Sequence, residues 1–146
     1  MTDQADEGIP ADEVVYRRLA HGRVEFVSTD ALTGERRPSS GAFRPDEDGV
    51  SIYRDAKLGD LGLGPQDILT KPENLVVSLE VQDIRAIVPL DVKDDPWPAD
   101  IPEPGHPRNG AHALIIGWDG LSKGERLKRQ KALTVVKSLR FVVFDS

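Results

Sequence analysis

Val50 and Ile52 alternate with Ser51 and Tyr53. That two-residue period predicts a strand over residues 49–54, with Ser51 and Tyr53 sharing one face. Residues 14–19 and 23–28 read as two more short strands joined near His21 and Gly22. In the second, Val24 and Phe26 alternate with Arg23, Glu25 and Val27. Residues 75–81 are largely apolar, as in a buried strand, and 111–117 form the plainest apolar strand of the chain. Residues 89–92 and 140–144 complete the set.

Helical signals are fewer. Ser122 and Glu125 stand at capping-box spacing, S-x-x-E, and open a helix that is expected to run to about residue 138. Its second half places Ala132, Leu133, Val135, Val136 and Leu139 on one arc of roughly 160°, a stripe that faces a core. Its first half carries Lys123, Arg126, Lys128, Arg129 and Lys131 on all sides and is expected to project into solvent or meet a partner. Pro65 suits the first position of a short helix at 66–69. Ile84, Ile87 and Val88 have helical spacing, which favours a short helix at 82–88.

The breakers mark loops. Gly34 and Pro38 interrupt residues 30–40, and Gly59, Gly62, Gly64, Pro65 and Pro72 fill 57–74 with turn residues. Five prolines between 94 and 108 force an extended connection. Residues 1–12 are polar, acidic and broken by Gly8 and Pro10, so they read as a disordered tail before one domain at 13–146. Strands follow strands without alternating helices. The expected class is α+β: a mixed or antiparallel sheet of about six strands, with one long C-terminal helix packed on one face.

A chain of 146 residues suits a single domain that buries about 68% of its unfolded surface. Aromatic residues make up only 5%, so the core is aliphatic. The absence of cysteine excludes disulfides, thiolate metal sites and thiol catalysis. No apolar run approaches the ~20 residues of a membrane-spanning helix, and the first residues lack the pattern of a secretion signal. A cytoplasmic protein without a membrane partner is the expectation.

The net charge of −6 is uneven: residues 1–13 hold five acids and no base, whereas 121–140 hold seven bases and one acid. Overall acidity argues against general coating of nucleic acid, while the basic C-terminal segment keeps a local anionic contact possible. Five cations over residues 123–131 would neutralise a few phosphates, but no aromatic side chains are interleaved for base stacking. A solvated helix end paired with the acidic body explains the same pattern.

Two loops carry candidate chemistry. In 36–43, Arg37, Ser39 and Ser40 stand beside Gly41, a set that can hold a phosphate or carboxylate through a guanidinium fork and backbone amides. A plain turn with solvated arginines fits the same residues. In 106–112, His106, Arg108, Asn109 and His112 lead into the apolar strand. His112 would act as acid/base, and Arg37 and Arg108 would hold an anion. A buried, hydrogen-bonded His112 with no chemical task is the competing reading. The two histidines would need a third ligand for a metal, for which Asp119 is the one candidate, so neither metal nor cofactor is expected. Glu80 and Asp83 end a strand, where Asp83 suits the cap of a following turn. Phosphate-loop, nucleophile-elbow, zincin, dinucleotide and calcium motifs are absent from the sequence.

Tyr16-Arg17-Arg18, the segment Arg37-Pro38-Ser39-Ser40-Gly41-Ala42-Phe43, Val50-Ser51-Ile52-Tyr53 and His112-Ala113-Leu114-Ile115 together resemble small uncharacterised bacterial proteins with an R-P-S-S-x-A-F segment. The likeness runs in patches over residues 14–117 and implies no activity. It singles out Arg37, Ser39, Ser40 and His112 as a group. A looser likeness to ADP-ribosyltransferase-like folds would give roles to Arg17, Ser51 or Tyr53, and Glu80, in chain order.

The sequence therefore reads as a protein-interaction module with a protein partner, for which Lys123, Arg126, Lys128 and Arg129 are the contact candidates. The alternative is a small nucleotide-binding protein or enzyme, of ADP-ribosyltransferase-like or phosphate-ester chemistry. It would use the 37–40 and 106–112 loops, with Tyr53 in its site.

Overall fold

A computed structural model describes residues 9–19, 27–29, 31–34, 36–69, 75–96 and 110–142. The strands are β1 (Val14–Leu19), β2 (Val27–Thr29), β3 (Arg36–Pro38), β4 (Val50–Arg54), β5 (Leu75–Glu80), β6 (Asp91–Asp94), β7 (His112–Ile116) and β8 (Arg140–Phe141). The helices are α1 (Asp55–Asp60), α2 (Val81–Arg85) and α3 (Lys123–Leu133), with 3-10 turns at Ser40–Phe43 and Pro65–Ile68. Six strands form one sheet in the order β6-β7-β4-β1-β5-β8, and every pairing is antiparallel. The class is α+β. β2 and β3 make a separate two-stranded ribbon.

Alternation divides the sheet into two apolar faces. Val15, Leu19, Ile52, Val77, Leu79, Ala113 and Ile115 build the larger core with Ala42, Phe43 and Leu133. Tyr16, Tyr53 and Val76 face the other way and pack with Leu58 of α1, Ile68 and Ala111. Both faces are covered, which is why β4 and β7 are buried along nearly their whole length.

Several elements differ from the expectation. Residues 36–38 form a strand where a loop was expected; Pro38 is tolerated because β3 pairs, among the described residues, only with β2. Residues 55–60 are helical although they hold Gly59, because Leu58 is fully buried and anchors the turn. Of the tail at 1–12, residues 1–8 lie outside the described residues. Ile9, however, belongs to the larger core, and the Ala11 carbonyl accepts from the Gln82 amide at 2.7 Å. Residues 23–26 of the second expected strand and 143–144 of the last also lie outside the described residues.

The C-terminal helix is shorter than its apolar stripe suggested. The capping box is present, with Glu125 N donating to Ser122 Oγ and Ser122 N to Glu125 Oε1. At the other end, Thr134 N and Thr134 Oγ1 both donate to the Lys131 carbonyl, and Val135 N donates to Ala132. These three-residue steps tighten and close the last turn, and a β-branched Thr-Val-Val run does not reopen it. α3 meets the rest of the fold through Leu133 in the larger core and through Gln130, whose Nε2 donates to the Ser40 carbonyl.

Candidate functional site

His112 begins β7, directly across from Tyr53 of β4. Their rings meet edge to face with centroids 5.6 Å apart. Ser51 lies two residues from Tyr53 and so on the same face, and its Oγ is 3.0 Å from His112 Nε2. His112 Nδ1 is 2.9 Å from the Asp95 carbonyl and 3.2 Å from Asp95 Oδ2. The imidazole has no solvent exposure. Burial pushes its pKa below the ordinary 6.5, against the opposing pull of the Asp95 carbonyl and carboxylate. The ring is thus neutral at pH 7. Both groups at Nδ1 only accept, so Nδ1 carries the proton and Nε2 accepts from the Ser51 hydroxyl.

On the other face of the sheet, Arg17 donates from Nε to the Ala42 carbonyl and from Nη1 to the Ser51 carbonyl, each at 2.9 Å. Burial lowers its pKa to about 10, so it stays charged at neutral pH. Arg54 is satisfied by two carboxylates. It holds both oxygens of the buried Glu13 carboxylate, at 2.8 and 3.0 Å, and donates Nη1 to Asp94 at 2.7 Å. That network ties the starts of β1 and α1 to the end of β6.

The loop at 36–43 goes elsewhere. Arg36, Arg37 and Pro38 line an open cleft of about 470 Å³, together with Thr134, Val135, Val136 and Leu139 after α3 and Arg140 and Phe141 of β8. The Arg36 guanidinium sits 5.6 Å from the Phe141 ring centroid. Val136, Leu139 and Phe141 pack against the larger core, whereas His112 and Tyr53 face the other side of the sheet. Ser39 caps the 3-10 turn at 40–43 by position but makes no capping hydrogen bond to it, and the Ser40 carbonyl is taken by Gln130. Arg37, Ser39 and Ser40 therefore do not meet His112. His106, Arg108 and Asn109 lie outside the described residues.

The basic helix is divided. Lys123 and Lys128 are exposed, whereas Arg126 and Arg129 are half-buried. Arg129 donates to the carbonyls of Val88 and Glu125. Arg126 lines a 300 Å³ hollow with Asp46, Glu47, Asp48 and Asp119, and its Nε is buried without a hydrogen-bond partner. Asp83 accepts from Ser138 N and Ser138 Oγ accepts from Glu80 N, so this pair fastens the segment after α3 to β5 and α2. Arg17 points to the opposite side of the sheet from Tyr53 and Glu80.

Sequence reasoning passed over Asp95, Arg54, Glu13 and Arg140, and took Arg36 only as the start of the 36–43 loop. Arg36, Arg54 and Arg140 carried a signal, each being a charge at the end of an apolar or turn segment. Among the described residues no group of three or more His, Asp or Glu could hold a metal, and no helix is long and apolar enough to cross a membrane. No protein-family model matches the chain, and no curated protein or solved structure is significantly similar to it.

Proposed function

We propose that the chain is a protein-interaction module, and that its cleft between β3 and β8 takes an acidic segment of the partner carrying apolar side chains. The lining of that cleft carries the reading. Three guanidinium groups, of Arg36, Arg37 and Arg140, stand around Pro38, Val135, Val136, Leu139 and Phe141, with no acid among the described residues of the lining. Guanidinium forks suit carboxylates, and exposed apolar area next to them rewards Leu or Phe on the same segment. Val135 is 69% exposed and places apolar surface beside the three charges. The use of 37–40 with His112 as a nucleotide or phosphate-ester site has less support, because those residues stand on opposite sides of the sheet.

The test is fluorescence anisotropy with a labelled ten-residue peptide of alternating Glu and Leu, against the same peptide with Lys for Glu. The acidic peptide binds, the basic one does not, and Arg36→Glu with Arg140→Glu weakens binding at least ~10-fold, or about 1.4 kcal/mol. Equal binding of the two peptides, or an unchanged affinity in the double variant, refutes the reading.

A further inference from the structure

We infer that Ser51, His112 and Asp95 form a nucleophile, base and orienting group that acylate Ser51 from neutral short-chain carboxylic esters. This activity is independent of the cleft and lies on the other side of the sheet. Its geometry is the set of contacts already given: Ser51 Oγ to His112 Nε2 at 3.0 Å, and His112 Nδ1 to Asp95 Oδ2 at 3.2 Å and to the Asp95 carbonyl at 2.9 Å. A hydroxyl within reach of a base that a third group orients is the general signature of an activated nucleophile. The tautomer is the required one, since the proton sits on Nδ1 and the free pair on Nε2 faces the hydroxyl. Residues 61 and 17 positions apart in the chain converge to produce it.

Access is through Ser51, not through the sealed imidazole. Ser51 is half-buried, and the Asp95 side chain is 41% exposed. Leu114 stands directly across from Ser51 on the same face and offers an apolar neighbour to an acyl chain. Among the described residues, Ser51 and Tyr53 from β4, Asp95 after β6, and Asp46 through space bear on His112. Two carboxylates near the base disfavour an anionic acyl group, which is why the substrate class is neutral esters.

The steps balance without any other reagent. Ser51 Oγ gives its proton to His112 Nε2 and bonds to the ester carbonyl carbon. The carbon–alkoxy bond breaks, and the leaving oxygen takes the proton from Nε2 as the alcohol departs. Water then gives a proton to Nε2 and attacks the acyl carbon; the Ser51 ester bond breaks, Ser51 Oγ takes the proton back from Nε2, and the carboxylic acid departs.

The test treats the whole chain with p-nitrophenyl acetate and, separately, with a fluorophosphonate. A burst of about one p-nitrophenol per chain and a fluorophosphonate adduct mapped to Ser51 are expected. Ser51→Ala removes both and lowers the rate at least ~100-fold. Asp95 is a positioning residue: Asp95→Asn slows acylation and moves the midpoint of the rate–pH profile to lower pH, because the imidazolium loses a neighbouring charge. The absence of both burst and adduct in the wild-type chain overturns the inference without bearing on the cleft. A Ser51→Ala protein that hydrolyses the ester as fast overturns it too, since surface groups would then carry the rate.

Discussion

Asp95 and His112 are fastened to each other through backbone and side chain together. The Asp95 amide donates to the His112 carbonyl at 3.0 Å, and His112 Nδ1 reaches back to the Asp95 carbonyl at 2.9 Å and to its carboxylate at 3.2 Å. The pair closes the β6–β7 ladder one step beyond Asp94 and Ala113. It also fixes the imidazole with Nε2 toward Ser51 Oγ.

Burial that keeps His112 neutral makes stability depend on pH. The folded-state pKa lies below the ordinary 6.5, so the unfolded chain takes up this proton first. The contribution is therefore fully present above about pH 6.5 and is lost as pH falls through the folded-state value. Urea unfolding at pH 7.5 and 5.0 should show a stability loss that is smaller in His112→Gln than in the wild type. An equal loss in both proteins would mean that other groups carry the whole acid sensitivity.

Arg54 is expected to be the most sensitive charged position. Its guanidinium neutralises Glu13, which is 9% exposed, so removing the arginine strands a buried carboxylate. Arg54→Met should cost about 3–5 kcal/mol in chemical denaturation. Arg54→Met combined with Glu13→Leu should regain much of that loss, because the stranded charge is gone and the space is filled by apolar groups. A double variant no more stable than Arg54→Met alone would count against this account.

Gly117 follows β7 with φ 106°, and a Cβ there would stand 2.3 Å from the Pro89 carbonyl oxygen. Gly120 has φ 81° with open space around it. Gly120→Ala should therefore cost only the left-handed backbone penalty, about 1 kcal/mol, whereas Gly117→Ala adds a backbone clash and should cost about 2–4 kcal/mol. Thermal unfolding of the two variants separates the effects.

What was legible in the sequence follows from range. β1, β4, β5 and β7 could be read because each carries its own apolar pattern, and the start of α3 because Ser122 and Glu125 form a local motif. β3 could not, since Arg36-Arg37-Pro38 has no strand pattern and becomes a strand only through Val27 and its neighbours across the ribbon. The candidate sites were hidden for the same reason. Ser51 finds His112 across 61 positions, and Arg54 finds Glu13 across 41 and Asp94 across 40. Alternation in β4 does place Ser51 and Tyr53 on one face, but nothing in residues 91–96 marks Asp95 as their partner.

The end of α3 separates core from surface within three residues. Leu133 is fully buried in the larger core, whereas Val135 lies in the Arg36–Arg140 cleft and is 69% exposed. Leu133→Ala should cost about 2–5 kcal/mol, the range for a truncated buried leucine. Val135→Ser removes little buried area and should change stability by less than about 0.5 kcal/mol. If the cleft binds an acidic, apolar segment, Val135→Ser should nonetheless weaken the Glu–Leu peptide several-fold, since it removes apolar surface between the arginines. Urea unfolding and peptide anisotropy on the same two proteins decide the matter. Loss of stability in Val135→Ser would place that side chain in the core, and unchanged binding would remove it from the interface.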